Sequence, residues 1–417
     1  MMDVATGEAH KEQECWAQGG ARGGGGKVVV IGGGIQGLAC GWSLARAGFH
    51  VTLFEAKTCG AEASGAAAGM LSGRADSKAH DDGVLRGLCL LGQRLWRDFA
   101  RHVQEASGID IDYRQEGTIH LAYDKDEHHA LARHMASHMD ETCDEDARPY
   151  WLSREQLTQR EPHLTGNIFS ALYYPDEHSV DSRLVIKALC KALRASGGVI
   201  HEKAHVSAVL TDNGRVSGVM SAGTAWACDY VIVAAGAWSM DVEGIRGGHG
   251  RRAQGAGLGV VRPIKGQMIA LRMEDSASIR HHVWMYTKAQ EWGEGCYLVP
   301  RQDGRLLVGA TIEDRGMDRE MYAGAVSYLL RAACRMVPAV EHMAIESLWT
   351  GLRPQSSSSL PWMGRLEGSP RGVFYACGHY RHGILLAPVT ASTLLCAIRA
   401  ERQTHDASSV SSRAELL

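Results

Sequence analysis

The stretch Lys27–Glu55 constrains the fold more than any other part of the sequence, because it combines a strand, a glycine turn, a helix and a second strand. Residues 28–31 form a β-branched apolar run of the kind found in parallel strands that are buried on both faces. Gly32, Gly34 and Gly37 follow in G-x-G-x-x-G spacing. The first glycine allows a tight turn, the second lets the backbone approach a pyrophosphate, and the third lets the helix pack closely on the strand.

The second half of this unit is equally regular. The spacing predicts a helix that begins near Ile35 and ends at Gly48, so that its N-terminal N–H groups would face a pyrophosphate. His50–Phe54 reads as the second strand, and Glu55 stands where an acid accepts hydrogen bonds from ribose hydroxyls. The unit therefore predicts dinucleotide binding rather than a purely structural turn, and it leaves open whether the dinucleotide is NAD or FAD.

Composition argues against several classes of protein. The length of 417 residues favours two domains, and the net charge of −3 gives no sign of a nucleic-acid binder. Eleven cysteines without a C-x-x-C pair predict reduced thiols in a cytoplasm. Residues 1–26 lack the apolar segment of a signal peptide and predict a disordered leader. No apolar run is long enough to predict a membrane-spanning helix, whereas a peripheral membrane contact stays open.

Local signals predict further helices, strands and turns. The predicted helices cover residues 84–107, a short stretch from Ser153 to about Pro162, a stretch capped by Asp181 or Ser182 and closed by Gly197 and Gly198, and residues 322–337 and 387–400. The predicted strands are residues 117–123, 230–234, 263–271, 297–300, 305–310 and 372–376, with hairpin turns at Asn213-Gly214 and Asp303-Gly304. Residues 281–295 read as a polar loop whose Trp284, Tyr286 and Trp292 form either a lid over a small site or a packing cluster.

Two other segments have competing interpretations. The small residues of Cys59–Leu71 would suit backbone that lies against a flat ligand, or a flexible surface loop. His134 and His138 stand four residues apart near Cys143, which is a spacing that metal ligands use on a helix. The charged residues around these histidines favour a solvated helix face, so we expect no metal.

Three separated segments, residues 27–70, 206–239 and 351–388, carry the signs of one nucleotide-binding fold that another domain interrupts. With the motifs IGGGIQG, ASGAAAGM, VIVAAGAWS, CYLVPRQDGRLLVGAT, WTGLRPQSSSSLPWMGR and GHYRHGILLAPVTA, this arrangement resembles the D-amino-acid-oxidase superfamily of FAD-dependent oxidoreductases. Within that superfamily it is most similar to the glycine oxidases of thiamin biosynthesis. The resemblance covers about residues 27–400. The expected fold is mixed α/β and α+β, a Rossmann-like FAD-binding domain built from discontinuous segments beside an antiparallel-sheet substrate domain.

The resemblance divides the chain into alternating pieces of these two domains. The FAD-binding domain is expected over residues 27–85, 153–240 and 346–400. The substrate domain is expected over residues 86–152 and 241–345, and a flexible tail over residues 401–417.

The resemblance also implies FAD as the cofactor and a set of residues that hold it. These residues share positions in the glycine turn, the small-residue run and the last motif. They are Gly32, Gly34, Ile35, Gln36, Gly37, Glu55, Ala56, Ala63, Ser64, Ala68, Gly69, Met70, Val206, Gly236, His379, Tyr380, Arg381, His382, Gly383, Ile384 and Leu385. An NAD enzyme would have no use for the last seven of these residues.

For the substrate, the resemblance implies Arg353 as the group that binds a carboxylate, because a guanidinium matches its planar fork. Tyr297 would add a hydroxyl, and Arg381 would shape the site near the substrate amine. The implied reaction is the oxidative deamination of glycine, sarcosine or a small D-amino acid, with O₂ reduced to hydrogen peroxide. Gly295 and Ile312 stand where the family often has histidine and methionine, which bears on the choice of substrate.

Other functions stay open at this level. A dehydrogenase would pass the electrons to a quinone or a protein, and a non-catalytic flavoprotein would bind FAD without turning over any amine. The resemblance further implies a homo-oligomer, a tetramer in the family, and the transfer of the imine product to a thiazole synthase.

Overall fold

The protein is described by a computed structural model over residues 25–73, 83–137, 147–164, 166–245, 260–273, 278–286, 291–358 and 360–414. Residues 1–24 of the expected leader, His138 and Cys143 lie outside these described residues. The strands are β1 (Lys27–Ile31), β2 (His50–Phe54), β3 (Met70–Leu71), β4 (Thr118–Ala122), β5 (Tyr150–Leu152), β6 (Ser170–Tyr174), β7 (His178–Ser179), β8 (Val199–His201), β9 (Val206–Asp212), β10 (Arg215–Ser221), β11 (Thr224–Ala227), β12 (Tyr230–Val233), β13 (Val261–Arg272), β14 (His282–Tyr286), β15 (Gly295–Pro300), β16 (Arg305–Gly309), β17 (Ile345–Ser356), β18 (Trp362–Gly364) and β19 (Val373–Cys377). The helices are α1 (Ile35–Arg46), α2 (Ala63–Ala66), α3 (Gly83–Ser107), α4 (Lys125–Ser137), α5 (Arg154–Arg160), α6 (Ser182–Ala195), α7 (Ala323–Met336) and α8 (Ala387–Ala414).

A six-stranded sheet in the order β18-β19-β12-β1-β2-β8 forms the centre of the nucleotide-binding fold. All its pairs are parallel except β18 with β19. Val28 and Val30 pack towards α1, α3, α6 and α8, whereas Val29 and Ile31 pack towards β9 and β10. The β-branched run is therefore buried on both faces, as the sequence predicts. Each of the three separated segments contributes strands to this sheet, and β8 completes it from outside them.

A second sheet has eight strands in the order β17-β13-β16-β15-β14-β4-β6-β5. Its pairs are antiparallel except β14 with β4. The mixed α/β class with an antiparallel second sheet is confirmed. The prediction of a polar loop is wrong over residues 282–286, which form β14, because Val283 and Met285 fill the core of this sheet.

The expected domain boundaries do not follow the two sheets everywhere. β6 lies in the segment expected in the FAD-binding domain, yet it pairs with β4 and β5 in the eight-stranded sheet. β17 begins in the expected substrate domain and continues across the boundary at residue 346, paired with β13 along its length. The division into domains therefore stays a proposal, and these two strands argue for moving its limits.

Most predicted helices and turns are present. Ser153 caps α5 through a capping box, and the Asp181 carboxylate accepts hydrogen bonds from the backbone N–H groups of Arg183 and Leu184 at the start of α6. The predicted tail is wrong over residues 401–414, which continue α8. Those residues contain no glycine or proline, and Glu401 lies within ion-pairing distance of Arg215 and Arg365.

The interpretation of residues around His134 as a solvated helix face is wrong for His134 itself. Its side chain is only 6% exposed, and its ring lies 6.1 Å from the ring of Tyr174. α4 presses this side chain and Leu131 onto the sheet, so the histidine serves packing. None of the helices in the described ranges combines the length and apolar character that a membrane span requires.

Candidate active site

A cleft with a cavity volume of about 480 Å³ opens at the carboxyl ends of β1, β2, β12 and β19. Ligands of doubly wound sheets bind at this edge, because the loops that follow parallel strands converge there. β13, β15 and β17 of the eight-stranded sheet line the same cleft. The two sheets therefore contribute to one site.

The glycine turn after β1 has the backbone geometry that its sequence predicts. Gly32 has a φ of +111°, and a Cβ there would lie 2.4 Å from the carbonyl oxygen of Ala234. A Cβ at Gly37 would lie 2.0 Å from the carbonyl oxygen of Gly32, so this glycine serves helix packing and does not line the cleft. The Glu55 carboxylate accepts hydrogen bonds of 2.7 Å from the backbone N–H groups of Gly33 and Lys57. These two bonds fix its position at the cleft.

The small-residue run lies along the cleft beside the start of α1. The Ser64 hydroxyl accepts a 3.0 Å hydrogen bond from the N–H of Ile35. A Cβ added to Gly351 would lie 2.7 Å from the Cβ of Ala66, so β17 also comes close to this run. Small residues are therefore needed there for contact between strand and helix as well as for a ligand.

The segment before α8 closes the cleft from the other side. The Gln36 side-chain amide donates a 2.6 Å hydrogen bond to the carbonyl of Gly383, which joins the first motif to the last. The indole N–H of Trp96 in α3 donates to the carbonyls of Ile384 and Leu385, at 3.0 Å each. Sequence reasoning missed Trp96, because its partners lie almost 300 residues away.

Arg353 and Tyr297 lie together in the cleft. The Arg353 guanidinium donates from Nη1 to the carbonyls of Lys265 and Thr311, at 3.1 and 3.0 Å. The Tyr297 hydroxyl donates a hydrogen bond of 3.4 Å to the Met268 thioether. A thioether sulfur is a weak acceptor. Burial raises the pKa of Tyr297 and the neighbouring Arg353 charge opposes that rise, so the phenol stays protonated and able to donate.

Arg381 lines the same cleft, and its guanidinium lies 5.4 Å from the ring centre of Tyr380. Tyr380 has a φ of +49°, and its N–H donates to the carbonyl of Pro354 at 2.7 Å. This contact ties the last motif to the strand that carries Arg353. Burial lowers the pKa of His379 in this motif to about 3, so its ring is neutral.

The structure brings nearly all of the predicted site residues together. Every predicted cofactor residue except Gly37 lines the cleft, as do Tyr297 and Arg353. Their roles remain predictions. Lining residues that sequence reasoning did not assign to the site include Trp238, Met268, Trp284, Tyr286 and Gly351.

The positions that depart from the family pattern also border the cleft. Gly295 leaves room for the Trp284 indole, since a Cβ at residue 295 would lie 3.0 Å from Trp284 Nε1. The rings of Trp284 and Tyr297 have their centres 5.2 Å apart, and Ile312 lines the cleft as well. Trp284 therefore lines the site, as the lid alternative expects, but it does so from β14 and not from a loop. Residues 287–290 of the predicted loop lie outside the described residues.

No group of three potential metal ligands lies together within the described ranges. The cleft contains a buried polar atom that a ligand could satisfy. Gln36 Oε1 is buried in it without a hydrogen-bond partner among the described residues. A ligand hydroxyl could donate a hydrogen bond to that oxygen, and the sugar groups of a dinucleotide carry such hydroxyls.

Comparisons with known proteins agree with this arrangement. The family model for FAD dependent oxidoreductases matches residues 27–396. A glycine oxidase from Geobacillus kaustophilus is 33% identical over 379 residues, which cover 90% of this chain and 93% of that protein. A bifunctional protein ThiO/ThiG from Synechocystis is 31% identical over 369 residues, 88% of this chain and 50% of that protein. The crystal structure of glycine oxidase from Geobacillus kaustophilus has a TM-score of 0.78 at 30% identity, covering 90% of this chain and 95% of that one.

Proposed function

Because this chain belongs to the family of FAD-dependent oxidoreductases, with FAD as its cofactor, we propose that it is an amino-acid oxidase acting on glycine or another small amine that bears a carboxylate. The products would be the imine, which hydrolyses to the 2-oxo acid, and hydrogen peroxide. The observation that carries the proposal is the placement of Arg353 beside Tyr297 in the cofactor cleft. The names of the glycine oxidases that match about 90% of the chain support the same substrate class.

Arg353 is suited to hold the substrate carboxylate. Among the described side chains no carboxylate lies within ion-pairing distance of its guanidinium, which is held by two neutral carbonyls instead. Its positive charge is therefore available to a substrate, and its planar fork matches both carboxylate oxygens. A protonated Tyr297 adds a donor to the same carboxylate, because among the described residues its hydroxyl has only a thioether as a competing acceptor.

The cofactor fits the residues that line the other part of the cleft. Glu55 would accept hydrogen bonds from ribose hydroxyls, since a carboxylate has lone pairs to spare beyond those used by Gly33 and Lys57. The N-terminus of α1 would bind the pyrophosphate, and the segment before α8 would lie at the pyrimidine end of the flavin. When bound there, FAD would supply the hydride acceptor and a route for the electrons to dioxygen.

The contribution of the chain to the chemical step is mainly orientation. Arg353 and Tyr297 would fix the carboxylate so that the α-carbon faces the flavin, and the backbone carbonyl of Arg381 would accept a hydrogen bond from the substrate amine. No side-chain base is required for hydride transfer from a neutral amine. The apolar wall formed by Met268, Trp284 and Ile312 would exclude water and limit the size of the substrate.

Assembly and location remain part of the proposal. We propose a homo-oligomer in the cytoplasm, and transfer of the imine to a thiazole synthase of thiamin biosynthesis. The bifunctional relative, of which this chain covers half, supports such a transfer. None of the nine cysteines within the described ranges is joined in a disulfide, which supports a reducing compartment.

Peroxide formation in air tests the proposed reaction. The purified yellow protein is offered glycine, sarcosine, D-alanine, D-proline and N-substituted glycines, and peroxide is measured with a coupled peroxidase. We expect peroxide with glycine or sarcosine. Flavin reduction without peroxide would instead assign a quinone or protein acceptor, and the absence of both with all amines would contradict the proposal.

A further inference from the structure

We propose that Thr311 and Glu313 are positioning residues for the substrate carboxylate, because they fix the main-chain carbonyls that orient Arg353. Neither side chain needs to touch the substrate. The proposal rests on the proposed function in one respect, namely that Arg353 binds the carboxylate.

The Arg353 guanidinium depends on two carbonyls for its direction. Nη1 donates to Lys265 in β13 and to Thr311 in the segment after β16. A Cβ on Gly266 would lie 2.3 Å from Nη2 and 2.5 Å from Nη1, so the guanidinium lies flat against the backbone of β13. Movement of either carbonyl would therefore rotate the Arg353 guanidinium away from its orientation towards the substrate.

The Thr311 carbonyl is held through the side chain of its own residue. The Thr311 hydroxyl accepts a 2.8 Å hydrogen bond from the N–H of Gln267 and donates a 2.6 Å hydrogen bond to Glu313 Oε1. Thr311 and Gln267 are fully buried, and Glu313 is 5% exposed. In such surroundings each lost partner leaves an unsatisfied polar group, so the arrangement resists movement.

Glu313 fixes the second carbonyl as well as the first. Its N–H donates a 3.0 Å hydrogen bond to the Lys265 carbonyl, the same oxygen that accepts from Arg353. Its carboxylate also accepts a 2.8 Å bond from the Gln267 side chain. One residue is therefore hydrogen-bonded to the Lys265 carbonyl directly and to Thr311 through a hydroxyl.

Two cations lie beside the Glu313 carboxylate, which forms no ion pair with Arg353 among the described residues. Glu313 Oε2 lies 3.2 Å from Arg315 Nε and 4.0 Å from the buried Lys265 ammonium. Lys265 in turn donates a 2.7 Å hydrogen bond to Asp318 and another to the carbonyl of Glu320. Because these cations neutralise the Glu313 carboxylate, Glu313 orients Arg353 and leaves the positive charge of Arg353 available to the substrate.

The test compares Thr311→Val with Thr311→Ser and with Asp314→Asn as a matched control. Valine keeps the shape of threonine but removes the hydroxyl, whereas serine keeps it. Asp314 is the residue next to Glu313, and its ion pair with Arg262 is exposed. For each holoenzyme we would measure KM and kcat with glycine, the Kd of acetate from the flavin spectrum, and FAD retention.

We expect Thr311→Val to raise KM and the acetate Kd about tenfold while kcat stays within about twofold and FAD stays bound. Thr311→Ser and Asp314→Asn should remain close to wild type. Unchanged KM and Kd in Thr311→Val would overturn the proposal, and so would an equal loss of kcat and kcat/KM with loss of FAD. If Thr311→Val does not fold, Glu313→Gln decides, with an expected increase of about threefold in both constants because a neutral hydrogen bond replaces a charged one.

A crystal structure separates this proposal from the proposed function. In the Thr311→Val holoenzyme we expect the Arg353 guanidinium to be displaced by about 1 Å or more, a distance that matters for catalysis. Retention of both carbonyl contacts would overturn the positioning role. If the wild-type enzyme oxidises no amine, the proposed function fails, yet the position of the guanidinium still decides this inference.

Discussion

At the scale of single residues, the charge of Arg353 carries the proposed activity. The Arg353 guanidinium faces the cleft and has no carboxylate partner among the described side chains. Such an arrangement is rare, since charges at partly buried positions are usually paired. The carbonyls of Lys265 and Thr311 satisfy its geometry but leave its charge for a ligand.

Replacement of Arg353 by alanine tests this role. We expect KM for glycine to rise about 100-fold, because charged hydrogen bonds of about 3 kcal/mol in total are lost. The flavin should remain bound, since Arg353 is not among the residues assigned to FAD. Steady-state kinetics and the visible spectrum of the purified variant measure the two properties.

A second variant makes that test more specific. Arg353→Lys keeps the positive charge but loses the planar fork, so its KM should lie between those of the wild type and the alanine variant. Normal kinetics in Arg353→Ala would show that the carboxylate binds elsewhere.

Sequence reasoning reached Arg353 and Tyr297 but not Thr311 or Glu313. The first two act through side chains whose chemistry is visible in the sequence motifs. Thr311 acts through a main-chain carbonyl, and any residue type has one, so no sequence signal distinguishes it. Only the hydrogen bonds to Gln267 and Glu313 reveal its importance.

At the scale of elements, α3 supports one wall of the cleft from outside the nucleotide-binding sheet. Trp96 in α3 holds the two carbonyls that precede α8, and a Cβ on Gly92 would lie 2.7 Å from the carbonyl oxygen of Leu385. The helix therefore approaches the 384–385 backbone closely and fixes it by hydrogen bonds. Because this backbone lines the cleft, we propose that α3 contributes to cofactor binding without touching the cofactor.

Trp96→Phe should weaken FAD binding. Phenylalanine keeps the packing against Phe99 but removes the indole N–H, at a cost of about 1 kcal/mol or roughly fivefold in the Kd of FAD. Titration of the apoprotein with FAD, followed by flavin fluorescence, gives that constant.

Trp151→Phe is the matched control for this change. Trp151 lies in β5, where its ring contacts His128 far from the cleft in the sheet order, so its Kd for FAD should stay at the wild-type value. An unchanged Kd in Trp96→Phe, or an equal change in both variants, would contradict the role of α3.

Elements that depend on neighbouring residues were predicted correctly, whereas elements that depend on distant partners were missed. The glycine turn, the cap at Asp181 and the Asn213-Gly214 hairpin depend on neighbouring residues, and the structure contains all three. β14 was missed because its polar and aromatic residues resemble a loop until the partners β4 and β15 are known. The long continuation of α8 was missed for a different reason, since its polar composition suggests a tail.

At the scale of the whole molecule, buried neutral histidines link stability to pH. Burial lowers the pKa of His120 and His379 to about 3 and that of His178 to about 4, and it lowers the pKa of His282 well below its ordinary value. The unfolded chain takes up protons on these residues below about pH 6.5, whereas the folded chain does not. Stability is therefore lost as the pH falls from about 6.5 towards 4.

The free energy of unfolding should thus fall steadily between about pH 6.5 and pH 4.5, by up to about 1.4 kcal/mol per pH unit for each histidine, and the midpoint of thermal unfolding should fall with it. His120→Gln should make this dependence shallower, and replacement of the exposed His50 by glutamine should not. Calorimetry at constant ionic strength checks all three proteins. A midpoint that stays level or rises on acidification would contradict the account.

At the scale of the whole chain, three distant segments predicted the nucleotide-binding sheet, and the family resemblance predicted the antiparallel sheet beside it. The oxidation that this arrangement supports passes electrons from a small amino carboxylate to FAD. The most direct measurement is anaerobic mixing of the yellow holoenzyme with glycine or sarcosine, followed by readmission of air. We expect loss of the oxidised flavin absorbance without air, and its return with peroxide formation when air enters. A flavin that stays oxidised with every amino carboxylate would contradict it.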